Sequence, residues 1–265
     1  MNVGFFLTGA AQATYNALLE QVHLGEEAGF DAVWLRDRHF HQDFVRHPFS
    51  SPFVVIAHLA ALFKRIRFGI GCKVLPLDHH LHVAEDAATV DVLSGGRLEL
   101  GVARGGEHAL CRAGFGVQDH IPAAQRVSDI ERTLELYMKL REEAGLSAEV
   151  AIPINRFAYV AESKEQALAD MEQPFMAFMF KDTDIREYLF MPDRAITYER
   201  LLEDVAIFGD PETCFKKIEH LKVRLGLQYL IFTFNYHTLD HPKSLRSMVL
   251  FAQHILPSLK SDAGG

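Results

Sequence analysis

The sequence is poor in cysteine, and its charge is predominantly negative. Its three cysteines, Cys72, Cys111 and Cys214, are widely spaced and odd in number, so they form neither a disulfide framework nor a metal-binding motif. Lys and Arg total 27 against 35 Asp and Glu, which gives a formal net charge of −8. Because no basic stripe offsets this charge, it argues against nucleic acid or an anionic membrane as the main partner.

Long apolar segments are also absent. No run of residues approaches the length of about 20 that a transmembrane helix needs. The apolar start, residues 1–7, is too short for a signal peptide and lacks a basic segment before it. These features predict a soluble, cytoplasmic protein that does not associate with membranes.

What the sequence does contain is a regular alternation of apolar strands and helices. Glycines predict helix ends at Gly29 and Gly95, and Ser51-Pro52 and Asp210-Pro211 predict helix starts. Alternation at this spacing predicts an all-parallel α/β fold. Six strands are recognisable, near residues 3–7, 32–35, 68–75, 97–103, 154–161 and 228–234.

A barrel is favoured over an open sheet because the first and last strands are both fully apolar, as neighbours in a closed sheet would be. No linker or repeat divides the chain, so residues 1–265 are interpreted as one domain. Chemistry in such barrels lies at the carboxyl ends of the strands. Those ends include Asp37 to Phe40, Gly71-Cys72, Ala103 to Gly106 and Asn235 to His237.

Several segments together resemble the bacterial luciferase-like family of flavin-dependent monooxygenases. The matching segments are AGFDAVWLRDRHF (28–40), KVLPLDHHLHVAEDAATVDVLSGGRLELGVARG (73–105), FGV (115–117), GDPETCFKKIEHLKVRLGLQYLIFTF (209–234) and LFAQHILPSL (250–259). The resemblance implies a TIM-type parallel barrel that binds reduced FMN, with F420 as the alternative used in some branches.

The resemblance also implies a set of site residues. Gly71-Cys72 would be a non-prolyl cis peptide beneath the flavin ring, the alternative being a glycine bulge with a buried cysteine. Arg104 would contact the FMN phosphate, or else form a structural ion pair. The cofactor-binding residues implied are Phe6, Gly71, Cys72, Ala103, Arg104, Gly105, Glu162 and Ser163, and the catalytic residues are His39, Cys72 and Asp37.

The sequence departs from the family at one catalytic position. Arg38 stands where the family's Glu-His-His-Phe motif has its first histidine, and an arginine cannot accept a proton at neutral pH. Light emission is therefore not expected, although His39 could still relay protons.

The second departure is a shortened barrel, with about six strands where the family has eight. In this respect the chain resembles the non-fluorescent flavoprotein of luminous bacteria. The missing units lie before residue 154, and they would leave INRFAYVA and GRLELGVA as apolar edge strands that must be covered. The segment 175–191, rich in Phe and Met, is predicted to be core or interface, with a substrate lid as the alternative.

Two further segments have alternative interpretations. Glu162-Ser163 resembles the family's phosphate-binding pair, but the flanking residues favour a later strand, in which Ser163 with Gln166 caps the next helix. His79, His80 and His82 suggest zinc, yet no carboxylate or cysteine is placed to complete a site, so no metal is predicted.

The functional hypothesis is an FMN-dependent oxidoreductase. It would be a two-component monooxygenase that takes reduced FMN from a separate flavin reductase and uses O2 on a small organic substrate, as a homodimer. Two alternatives stay open: a non-catalytic flavin-binding protein, and a partner subunit of a luciferase-like heterodimer.

Overall fold

A computed structural model describes most of the N-terminal part of the chain and most of its C-terminal part. The residues described are 1–7, 14–37, 51–103, 151, 153–179, 197–236 and 239–261, with the single helical positions 139 and 143. None of the helices in these ranges is both long and apolar enough to cross a membrane.

The described strands form one parallel sheet. They are β1 (Asn2–Phe6), β2 (Ala32–Leu35), β3 (Arg67–Val74), β4 (Leu98–Ala103), β5 (Pro153–Val160), β6 (Ala206–Gly209) and β7 (Tyr229–Thr233). Their order is β4-β3-β2-β1-β7-β5-β6. The first and last strands are neighbours, with Phe5 beside Phe232 in register, as their shared apolar character predicted.

Helices connect the strands. They are α1 (Tyr15–Ala28), α2 (Pro52–Leu62), α3 (His80–Ser94), α4 (Lys164–Ala177), α5 (Tyr198–Asp204), α6 (Pro211–Leu225), α7 (His241–His254) and α8 (Leu256–Ser261). A short 3-10 turn, Leu75–Leu77, precedes α3. The predicted helix ends are confirmed, because Gly29 and Gly95 adopt left-handed conformations with φ of 84° and 73°.

Three predictions about secondary structure were wrong. A seventh strand, β6, was not predicted, because its four residues AIFG lie directly between two helices. The predicted final helix is two helices, α7 and α8, with Ile255 between them. Finally, β5 is not an edge strand, since it pairs with β7 at its start and with β6 at its end.

The sheet has two faces with different surroundings. One face carries Val3, Phe5, Val33 and Phe232 and packs against the helices in the main core. The opposite face, which we call the inner face, carries a smaller cluster that contains Phe6, Trp34 and other strand residues only.

At the β5–β6 end the inner face is covered by helix. Phe175 and Phe178 pack with Phe208 and Tyr236 in a separate cluster, and the rings of Phe175 and Phe208 are 4.9 Å apart. The prediction that segment 175–191 contributes core is therefore confirmed for residues 175–179. The rest of that segment lies outside the described residues.

Candidate functional site

The centre of the candidate site is an irregularity near the carboxyl end of β3. The peptide bond between Gly71 and Cys72 is cis. Pairing with β4 passes from Ile70 opposite Leu100 to Lys73 opposite Val102, so β3 contains one extra residue at this point. Such a bulge changes the face to which the following side chain points. The resemblance had implied this cis bond at this position.

Two glycines allow the strands to approach closely at the bulge. A Cβ on Gly101 of β4 would lie 2.8 Å from the carbonyl oxygen of Ile70 and 3.4 Å from Cys72 Sγ. A Cβ on Gly71 would lie 3.1 Å from the Trp34 ring and 3.3 Å from the Phe6 ring. Phe6, Gly71, Cys72 and Gly101 are thus neighbours at the bulge, and we call these four residues the bulge surface.

Cys72 is exposed at the bulge surface, so it is not the buried cysteine of the alternative interpretation. Partial desolvation raises the pKa of its thiol. The thiol is therefore protonated at pH 7, and it offers a polarisable, uncharged contact beside the flat peptide.

A buried ion-pair network lies immediately after the bulge. Lys73 Nζ is 2.9 Å from Asp37 Oδ2 and 2.5 Å from Asp78 Oδ2. The same Asp37 oxygen accepts a hydrogen bond from the backbone N–H of Val74 at 2.9 Å. The Lys73 side chain is 6% exposed and that of Asp37 is fully buried. The network thus ties the end of β2 to β3 and to the start of α3.

This network bears on the role predicted for Asp37. Desolvation alone would lower the pKa of Lys73, but hydrogen bonds to Asp78 and Asp37 raise it above its usual value. Asp37 is therefore held beside a cation that stays charged. Its geometry is that of a residue that positions the bulge, and its assignment to catalysis stays a prediction.

The opposite end of the inner face is filled by a polar cluster. The Trp34 indole N–H donates to the Tyr229 hydroxyl at 3.2 Å, and that hydroxyl donates to Glu99 at 2.8 Å. Arg67 Nε completes the cluster, 2.6 Å from the other Glu99 oxygen. The buried Tyr229 has a pKa well above its usual range, chiefly because of desolvation and then because of the Glu99 charge. These contacts close the amino-terminal end of the sheet.

Glu162 and Ser163 follow β5 and take part in contacts within the protein. Ser163 Oγ accepts a hydrogen bond from the Gln166 N–H at 3.1 Å and caps α4, which is the cap interpretation that the flanking residues favoured. Glu162 is 2.9 Å from Arg246 of α7. A carboxylate near this helix start would repel a phosphate. The assignment of both residues to the cofactor stays a prediction without support from this geometry.

The structure therefore brings together part of the predicted site. Phe6, Gly71 and Cys72 are contiguous, and Ala103 ends β4 in register with Val74. His39, Arg104 and Gly105 lie outside the described residues, as does Arg38. Their roles stay predictions.

Sequence reasoning missed Lys73, Asp78 and Gly101. A charged residue within the strand pattern RFGIGCKV was the available signal for Lys73. The sequence also offers an acidic partner on the neighbouring strand. Leu35 pairs with Ile70, so Asp37, two residues after Leu35, lies beside Cys72, which precedes Lys73.

The histidine cluster does not form a metal site. The ring centroids of His79 and His80 are stacked 4.5 Å apart, and His79 Nδ1 accepts the Leu81 N–H at the start of α3. Within the described ranges, no group of three or more His, Cys, Asp or Glu side chains is arranged to hold a metal ion.

The bulge surface lies in a part of the chain that is similar to known proteins. Residues 1–130 match the family model described as luciferase-like monooxygenase. That match contains β1 to β4 and the whole bulge surface. Over these residues the chain is similar to the luciferase-like monooxygenase family.

Among curated proteins, the oxygenase component of flavin-dependent trigonelline monooxygenase from Acinetobacter baylyi is 36% identical over 91 residues. The alkanal monooxygenase alpha chain from Photorhabdus laumondii is 34% identical over 88 residues. These matches cover 34% and 33% of this chain, and in each case only 24% of the relative. The aligned segments thus span about a quarter of the length of these relatives.

Solved structures show the family fold over nearly the whole chain. Monooxygenase RslO1 from Streptomyces bottropensis superposes with a TM-score of 0.77 at 19% identity, covering 97% of this chain and 99% of that one. The oxygenating constituent of 3,6-diketocamphane monooxygenase from Pseudomonas putida, in complex with FMN, gives 0.76 at 13% identity, covering 97% and 98%. The predicted α/β parallel barrel fold is therefore confirmed.

Proposed function

We propose that this protein is the oxygenase of a two-component, FMN-dependent monooxygenase. The observation that carries the proposal is the bulge surface, in which Gly71 and Cys72 lie at the bulge of β3 beside the Phe6 ring. A planar ring system would lie against this surface, in contact with the exposed Cys72. The surface also lies within the part of the chain that matches the family model.

Each part of the surface has a role in this proposal. Reduced FMN, when bound, would supply the electrons that activate O2, and a separate reductase would deliver it. Gly71 and Cys72 would support one face of the ring, and Phe6 would bound it and exclude water. The ion pairs of Lys73 would keep the bulge in place, while His39 would relay protons and Arg104 would bind the phosphate. The substrate would be a small organic molecule.

The cofactor could instead be F420. A coenzyme F420 dependent tetrahydromethanopterin reductase from Methanopyrus kandleri also superposes, with a TM-score of 0.68 at 16% identity and coverage of 98% and 100%. FMN is preferred because the relative in complex with FMN has the higher TM-score. Titration of the purified protein with each cofactor distinguishes them.

A non-catalytic flavin-binding protein is the second candidate. It is favoured by the Asp37 carboxylate, which is fully buried and ion-paired with Lys73, and by Arg38 in place of the family histidine. Both features leave fewer groups to transfer protons at the end of β2.

One experiment separates these two candidates. Oxidised and reduced FMN are titrated anaerobically, and the reduced complex is then mixed with air-saturated buffer while flavin absorbance is followed. We expect tighter binding of reduced FMN and a reoxidation rate that differs from that of free FMN. Binding with reoxidation at the free rate would support the non-catalytic protein, and no binding of either form would exclude both candidates.

We also propose that the protein is a homodimer through its α2 and α3 helices. Five large apolar side chains on these two helices are exposed: Val54, Leu62, Leu81, Val92 and Leu93. The helices contact each other, so these side chains lie on neighbouring elements. A second copy of the same surface is the occupant that a two-fold dimer supplies. The heterodimer alternative would use a related surface on another chain.

A further inference from the structure

One large ring occupies the inner face next to the bulge surface. Trp34 of β2 is the only tryptophan in the chain, and its side chain lies on the inner face with Phe6. In register, Trp34 pairs with Phe6 on one side and with Gly69 on the other. A Cβ on Gly69 would lie 2.2 Å from Cδ2 of the indole. The indole therefore lies across the backbone of β3, in space that a side chain on Gly69 would need.

The same indole reaches the bulge. Its Cε3 atom would lie 3.1 Å from a Cβ on Gly71, and its Cδ1 and Nε1 atoms would lie 3.1 Å from a Cβ on Gly4 of β1. The ring thus spans the inner face from β1 to β3. Because Gly69 precedes Gly71 along β3, the indole belongs to the layer of inward side chains on the amino-terminal side of the bulge.

Exposure ends at this layer. Cys72 at the bulge is exposed, whereas Trp34 and Phe6 are each 4% exposed. On its other side the indole N–H donates to the Tyr229 hydroxyl, which in turn donates to Glu99. Breaking this buried hydrogen bond would leave polar groups unpaired, so the indole is held in place. Trp34 and Phe6 therefore close the interior below the bulge surface, and we call these two rings the aromatic floor.

We propose that Trp34 is a specificity-determining residue that limits the depth of the substrate site above the aromatic floor. The inference rests on the proposed flavin-dependent function and names the class of its substrate. That class is compact organic molecules, in which no chain extends past the indole. A longer chain directed at the floor would have to displace the indole from Gly69 and break its hydrogen bond to Tyr229.

The length of an alkyl chain measures this limit. Each methylene that a ligand buries in an apolar site raises its affinity about fourfold. The gain stops at the length at which the chain meets the indole, because the next methylene finds no space there. Without the indole, space would open toward Tyr229, and the gain would continue to longer chains.

The test titrates primary n-alcohols, from butanol to decanol, into the protein with and without FMN, and calorimetry measures each affinity. Trp34→Leu removes most of the ring, and Trp34→Phe keeps a smaller ring and is the milder change. Phe208→Leu is the matched control, because Phe208 is a buried aromatic residue that packs with Phe175 in a separate cluster. Urea denaturation checks that each variant is folded.

We expect the affinity of the wild type to rise with chain length and then to level off. Phe208→Leu should level off at the same length. In Trp34→Leu the rise should continue for at least two more methylenes, so that the longest alcohol binds about tenfold or more tightly than it binds to the wild type. Trp34→Phe should show a smaller extension in the same direction.

A second measurement needs no variant. Because the chain contains one tryptophan, its indole fluorescence reports on the aromatic floor alone. A bromine atom quenches indole fluorescence on contact, so alcohols with a terminal bromine report when the end of the chain reaches Trp34. Quenching in the saturated wild type should be greatest at the length at which the affinity levels off. Quenching that is independent of chain length would contradict the proposed floor.

Three calorimetric results would overturn the inference. They are an affinity that rises up to decanol in the wild type, a levelling length that is the same in both Trp34 variants as in the wild type, and no binding of any alcohol. If flavin binds in any of these cases, the proposed function survives the loss of the inference. A levelling length that depends on Trp34 in a protein that binds no flavin would support the depth limit and refute the proposed function instead.

Discussion

Lys73 is a buried cation that forms ion pairs with two aspartates from different parts of the chain. Its ammonium group bridges Asp37, at the end of β2, and Asp78, just before α3. Buried charges of this kind are costly unless all partners are present. Lys73 therefore stabilises the site only when both aspartates are present.

Replacement of Lys73 by methionine should leave Asp37 buried beside an apolar chain. We expect the free energy of unfolding to fall by about 3–5 kcal/mol, the usual cost of removing one partner of a buried pair. Urea denaturation measures this loss. Lys216→Met is the matched control, because Lys216 pairs with Glu212 at the exposed surface, where removal of a lysine should leave the stability almost unchanged.

The pH dependence of the free energy of unfolding, compared between wild type and Lys73→Met, gives a second measurement. Desolvation disfavours the charged lysine, but its two aspartates raise the folded-state pKa of Lys73 above the ordinary value of 10.5. The folded protein thus holds this proton more tightly than the unfolded chain, and the stabilisation is fully present below pH 10.5. The difference between wild type and Lys73→Met should shrink as the pH rises further. A difference that stays constant to pH 11.5 and beyond would mean that the charge of Lys73 does not matter.

At the scale of a single element, α4 provides a test of the role of Ser163. Its hydroxyl caps the helix through the Gln166 N–H, so Ser163→Ala should lower the free energy of unfolding by about 1 kcal/mol. FMN affinity should not change. Thr197→Ala removes the equivalent cap of α5 and should give a similar loss of stability. Weaker FMN binding in Ser163→Ala alone would instead place this hydroxyl at the cofactor.

Elements with strong local signals could be predicted from the sequence, and those that depend on distant contacts could not. Gly29 and Gly95 end their helices because only the local backbone conformation decides those positions. The four-residue strand β6 has too few residues for a pattern and exists because Phe157 and Tyr159 of β5 offer it a partner. The break at Ile255, by contrast, had a local signal, because Pro257 lies two residues later and a proline inside a helix removes a backbone hydrogen bond.

The same distinction applies to the candidate site. Gly71-Cys72 and Phe6 were identified because the resemblance supplied their position within a long matching segment. Lys73 and Asp37 were not connected to each other, since 36 residues separate them and only the pairing of β2 with β3 makes them neighbours. Gly101 gives no local signal at all, because its need for a missing Cβ comes from the carbonyl oxygen of Ile70 on another strand.

At the scale of the whole molecule, the proposed functional surfaces lie on different parts of the described sheet and its helices. The inner face of β1 to β4 carries the bulge surface and Trp34, and the inner face of β5 and β6 is covered by α4. The outer side of α2 and α3 carries the exposed apolar residues. The proposed cofactor site and the proposed dimer surface therefore lie on opposite sides of the same strands, and β3 connects them through the turn that leads into α3.

The oligomeric state of the protein tests the last of these proposals. Val92 on α3 is 81% exposed, and Val223 on α6 is 82% exposed, so the two valines are matched in chemistry and exposure. Val92 has four other exposed apolar side chains on its own helix and on α2, whereas Val223 lies on an amphipathic helix whose last turn is basic. Of these two valines, Val92 therefore belongs to a group of exposed apolar side chains and Val223, among the described residues, does not.

Light scattering across a micromolar dilution series should give about twice the single-chain mass of 29.9 kDa for wild type and for Val223→Glu. Val92→Glu should give the single-chain mass, because a two-fold interface would bury two copies of the introduced carboxylate without partners. A single-chain mass for the wild type at every concentration would refute the dimer, and an unchanged mass for Val92→Glu would move the interface away from α3.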